Sequence, residues 1–118
     1  MKDTHNQRKW DREEVVILVV EYYRTKKLPK DDIVLNHIKI SDFLRKREEI
    51  ITGKAVSNSF RDYAGIHMQS MRIQCLDPDT KYSGMRGTKL QKKIVQEYLF
   101  NPKKLEEEAD SIYSKYGK

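Results

Sequence analysis

Apolar positions fall into blocks with helical spacing along most of the chain, separated by polar or proline-containing breaks. The first block, Val15 to Tyr23, is apolar at nearly every position. A helix that is apolar all round is a buried one, so this pattern predicts a central helix, although its Val and Ile content also favours a strand. Asp11 can accept a hydrogen bond from the third helical residue and Glu14 can reach back to complete a capping box, with Trp10 placed as a hydrophobic staple. Arg24 to Lys30 (RTKKLPK) closes the block with basic residues at the negative end of the helix, ahead of Pro29.

Asp31 to Lys39 reads either as a turn and short helix or as a brief extended piece. Ile40 to Ile51 predicts a second amphipathic helix, with Ile40, Phe43, Leu44 and Ile50 or Ile51 inward and Arg45, Lys46, Glu48 and Glu49 outward. After a break at Thr52-Gly53-Lys54, the stretch Arg61 to Pro78 places Ile66, Ile73 and Leu76 on one side of a helix and His67, Gln69, Arg72 and Gln74 on the other. Asp77-Pro78 stops it, because proline lacks a donor and disfavours helix in the residue before it. Thr80 to Thr88 (TKYSGMRGT) is a loop that either brings backbone amides to phosphates or simply connects helices. Thr88 with Gln91 repeats the capping box ahead of Leu90, Ile94, Val95 and Tyr98, and Asn101-Pro102 opens a last helix carrying Leu105, Ala109, Ile112 and Tyr113 on one side. The expected fold is all-α, a compact bundle of about five short helices over residues 10–118, preceded by a flexible basic arm, residues 1–9.

Composition sharpens this. With 37% hydrophobic and 36% charged residues, the core must be thin and the surface heavily charged. The net charge of +6 suits a polyanionic partner, and residues 61–93 hold much of the excess, with seven Lys/Arg against three Asp/Glu. Cys75 is the one cysteine, so no intramolecular disulfide forms; with no signal-peptide apolar segment at Met1 to His5, the expected location is the cytoplasm. The longest apolar run, Val15 to Val20, is far shorter than a membrane span. Three histidines and one cysteine, in no CxxC or HExxH spacing, and the lack of a Walker loop or GxSxG predict no metal, no cofactor and no catalysis by this chain itself.

Several blocks recur in a familiar order. Trp10-Asp11-Arg12-Glu13-Glu14 leads through a long apolar helix to Tyr22, and Ile40-Ser41-Asp42-Phe43-Leu44 follows. Arg61, Gly65, Ile66, Met68 and Leu76-Asp77-Pro78 form a third block, ahead of Gly84, Gly87 and Val95-Gln96-Glu97-Tyr98. From Trp10 to Tyr113 this order resembles the amino-terminal helical domain that precedes the nuclease domain in bacterial HNH-type and modification-dependent restriction endonucleases. The chain departs from that pattern at Gln69, where the family tends to carry lysine, and at Arg72, where it tends to carry asparagine. No HNH segment follows within the sequence. The resemblance implies a DNA-recognition module, fragment or stand-alone, whose partners are double-stranded DNA, modified bases included, and a nuclease domain or partner protein.

On this reading Arg61, Lys81, Arg86, Lys89 and Lys93 contact phosphates, which releases counterions, and Gln69 and Arg72 read bases through bidentate bonds to adenine and guanine. Two other readings stand beside it. One is a protein-interaction or regulatory domain whose charges serve solubility. The other is RNA binding, with Trp10, Tyr63, His67 and Tyr82 stacking on unpaired bases.

Overall fold

Every cap expected from the sequence is formed, and the helices begin where the caps place them. In the computed structural model, which describes residues 8–117, Asp11 and Glu14 close a capping box on α1 (Arg12–Thr25), and Thr88 and Gln91 close another on α4 (Lys89–Phe100). The Asp62 carboxylate accepts from the Gly65 amide at the start of α3 (Tyr63–Leu76), and the Asn101 side chain accepts from the Lys104 amide at the start of α5 (Pro102–Tyr116). Each such cap is worth about 1 kcal/mol. The chain is all-α, with no strand among the described residues.

The ambiguous segment Asp31 to Lys39 is helical and continuous with its neighbour: α2 (Lys30–Thr52) runs unbroken for 23 residues to Gly53, which ends it in the left-handed region at φ 71°. Its buried side is His37, Ile40, Ser41, Leu44 and Arg47, with Phe43 half-buried, while Ile50 and Ile51 are exposed, against expectation. Arg47 takes the inward position at that level, and the last turn extends past the core.

Helix α1 is the axis of the fold, and all four other helices pack on it. Val15 to Val20 are each at most 1% exposed, which only a helix enclosed on every side allows. Around it α2 contributes Ile40 and Leu44, α3 Ile66 and Ile73, α4 Ile94 and Val95, and α5 Leu105, Ala109 and Ile112. Burying a side chain of this size contributes about 1.5–3 kcal/mol, so these residues dominate the stability of a bundle with so small an apolar fraction. No helix among the described residues is long and apolar enough to cross a membrane.

The expected basic arm falls largely on residues 1–7, outside the described residues. Its carboxyl end belongs to the domain: the Arg8 guanidinium reaches Glu14 at 2.8 Å and also pairs with Glu48 of α2.

Candidate nucleic-acid interface

The seven side chains expected to contact DNA divide sharply once placed. Arg61 is withdrawn into the interior, 3% exposed, and this corrects its expected role at phosphates. It follows the linker that α2 holds down: Arg45 donates to the carbonyls of Ser57 and Phe60, and Ser41 donates to the carbonyl of Arg61 at 2.7 Å. Pinned there, Arg61 adopts φ 47°, the one non-glycine positive φ among the described residues. Its Nε and Nη2 donate to the two oxygens of Glu14 at 2.9 and 3.1 Å, and its guanidinium lies 3.9 Å from the Trp10 ring centre and 4.4 Å from that of Phe60. Glu14 is itself fully buried, so the pair is structural: a charge taken from water must keep its partner.

The two residues expected to read bases are also engaged internally. Gln69 is half-buried, and its carbonyl oxygen accepts from Gln91 at 2.7 Å, linking α3 to α4. Arg72 donates from Nη1 to the carbonyl of Arg86 at 2.7 Å, and its Nε is buried without a partner among the described residues, so the guanidinium braces the loop. The side of α3 that meets solvent is occupied by Tyr63, His67, Met68 and Met71. The expected outward row of His67, Gln69, Arg72 and Gln74 does not share one face. At about 100° per residue Gln69 and Arg72 point about 140–160° away from His67 and Gln74, toward α4 and the loop. Gln74 is half-buried on the flank near Tyr22 and Lys26, leaving only His67 fully outward.

Lys81, Arg86, Lys89 and Lys93 are exposed, and the structure gathers them on the loop 77–88 and the first turns of α4, where Lys92 joins them. Gly87 holds the loop down against α3, since a Cβ there would lie 2.8 Å from Leu76 Cγ. Lys89, Lys92 and Lys93 share one side of α4 at spacings of three and four. Helices favour acidic groups at this end, and α4 has none in its first turn, so Lys89 opposes the dipole by about 0.3–1 kcal/mol, an effect that fades toward Lys92 and Lys93. Folding alone does not call for them.

Carboxylates nearby do not neutralise this cluster. Asp77 is buried, and Tyr22 and Lys26 donate to it, at 2.7 Å from the Tyr22 hydroxyl. Burial pushes its carboxyl up, but the bonds from Lys26 and Tyr22 outweigh this and hold it below the usual carboxylate range. Asp79 faces Lys26 at 3.5 Å, and among the described residues only Lys93 of the cluster approaches an acid, Glu97, at 3.9 Å. Elsewhere arginines are matched: Arg12 bonds Glu97 and Glu108, Arg24 meets Glu21 and Asp110, and Arg47 meets Asp11 and Glu13. The Arg12 guanidinium in turn holds the Glu97 carboxyl below its ordinary range.

Lys92 is the residue sequence reasoning passed over. The signal was present, because it lies three residues from Lys89 on the outer stripe of an amphipathic helix. Among the described residues no group of three or more His, Cys, Asp or Glu is arranged to hold a metal ion. No family model matches the chain, and no curated protein or solved structure matches it either.

Proposed function

We propose that the chain is a DNA-binding module that holds the phosphate backbone with Lys81, Arg86, Lys89, Lys92 and Lys93, and that it positions a nuclease domain or partner protein on double-stranded DNA. The observation that carries this reading is the cluster of cations on the loop and the start of α4, largely without acidic partners among the described residues, with Lys89 placed against the helix dipole. The likeness to restriction-endonuclease recognition domains supports the same assignment. Phosphate contacts rather than base contacts dominate, since Gln69 and Arg72 are engaged within the fold. The test is fluorescence anisotropy with a labelled duplex across a range of salt. Five phosphate contacts give a slope of log K against log salt of about −4.5. No binding to duplex DNA at low salt sinks the proposal.

A second reading is supported by exposed apolar side chains, Tyr63, Met68 and Met71 on α3 and Leu35 and Ile38 on α2, which suit a protein partner. Association of that kind persists as salt is raised.

A further inference from the structure

Beside the basic cluster lies a hollow of about 500 Å³ that the backbone contacts leave unused. One wall is a single side of α3, with His67, Met71, Gln74 and Cys75 at spacings of four, seven and eight. The facing wall is the loop, with Tyr82 and Met85, and Lys30 stands at the rim. Tyr82 is 66% exposed in a loop that packing does not require it to fill. No hydrogen bond holds its hydroxyl among the described residues; its backbone amide donates to Thr80.

We infer that this hollow receives one unpaired nucleobase, stacked on Tyr82 and lying over Met71 and Met85. The inference rests on the nucleic-acid reading above and names the part of the ligand that the phosphate-binding cluster does not reach. Three features select a nucleobase over another flat apolar group. Among the described residues the lining holds no carboxylate, and Lys81 and Arg86 adjoin Tyr82 and Met85 in the chain, so a polyanion is drawn to the opening. The Gln74 side-chain amide, free of hydrogen bonds among the described residues, provides a donor and an acceptor for a base edge. The His67 ring also lines the hollow, its Nδ1 against His37 at 3.3 Å and its Nε2 without a hydrogen bond among the described residues. A base within a duplex cannot enter, so the preferred ligand is a single strand or a duplex with an extruded base.

The experiment uses three 2-aminopurine oligonucleotides: fully paired duplex, the same duplex with 2-aminopurine opposite an abasic site, and the single strand. The full chain binds a probe with an unpaired base about tenfold more tightly than the paired duplex and quenches its fluorescence, since stacking on an aromatic ring is worth roughly that factor or more. Tyr82→Ala abolishes the preference and the quenching while leaving paired-duplex affinity unchanged, and Tyr82→Phe keeps both. Equal affinity for all three probes, with Tyr82→Ala silent, overturns the base pocket and leaves the phosphate contacts standing. Failure to bind any probe overturns the nucleic-acid reading itself. Preference confined to the single strand, lost in Tyr82→Ala, supports the pocket and excludes extrusion from a duplex.

Discussion

Replacing Arg61 by methionine separates the interior role of this residue from any role at DNA. Glu14 accepts four hydrogen bonds: two from Arg61 at 2.9 and 3.1 Å, one from Arg8 at 2.8 Å, and one from the Asp11 amide at 3.0 Å. Arg61→Met removes two of the four and leaves a fully buried carboxylate with its more exposed cation, Arg8. Breaking a buried pair costs about 3–5 kcal/mol, and the low end applies because Arg8 remains. The stack with Trp10 and Phe60 adds about 1 kcal/mol, which the apolar methionine partly restores. A net loss of about 3 kcal/mol is a large share of the roughly 5–15 kcal/mol that holds a domain together. With a urea slope of about 2 kcal/mol per molar, the midpoint falls by about 1.5 M, read by circular dichroism at 222 nm. Glu14→Gln has a similar effect, and the double variant is less destabilised than the two losses added, because the pair acts as a unit. A loss under about 1 kcal/mol would refute the reasoning, since Arg8, with the Arg47 guanidinium 4.0 Å from Glu14, would then suffice. Measured under conditions where the variant is folded, the salt dependence of DNA binding is unchanged. A flatter slope would return Arg61 to the interface.

Three further outcomes are expected. Lys89→Glu moves stability and binding in opposite directions: thermal melts rise slightly as the helix dipole gains an acidic partner, while DNA affinity falls and its salt slope flattens by about one or more. Unchanged binding in that variant would leave the lysines with a solubility role only. Gly87→Ala drives a methyl group into Leu76 and costs about 1–3 kcal/mol, or about 4 °C in Tm per kcal/mol, so an unchanged melt would show that the loop is not pinned there. His37 is held below its usual range by burial and by His67, whose ring nitrogen faces it at 3.3 Å, with the Tyr63 ring as the other neighbour. The unfolded chain therefore takes up the proton first, and stability falls as pH drops below about 6.5. His37→Gln flattens that slope between pH 7 and 5 in urea titrations, and an unaltered slope assigns the pH dependence elsewhere.

The local grammar of this chain was readable, and its long-range pairing was not. Asp11, Thr88 and Asn101 announced their helices because a cap and its partner lie within three residues. Val15 to Val20 announced the central helix because only enclosure explains such a run. The first half of α2 resisted, since Leu35 and Ile38 are apolar yet exposed, which blurs the helical stripe. Arg61 misled for a different reason. Its partner Glu14 lies 47 positions earlier and already had a sufficient local explanation as a capping residue. The polar residues of α3 were visible, but helical spacing splits them between two flanks, and the partners of Gln69 and Arg72, Gln91 and the Arg86 carbonyl, lie outside the helix. Lys89 and Lys93 were legible because little among the described residues competes for them, Glu97 near Lys93 being the exception.

The enclosure of α1 carries a consequence for biosynthesis. The ribosome makes this segment before any of the helices that surround it, and two of those, α4 and α5, begin only at Lys89 and Pro102. Until then six consecutive aliphatic side chains lack part of their cover, and the emerging polypeptide is most adhesive while it is least complete. Fragments that end before Lys89 should therefore aggregate or recruit chaperones rather than linger as folded intermediates.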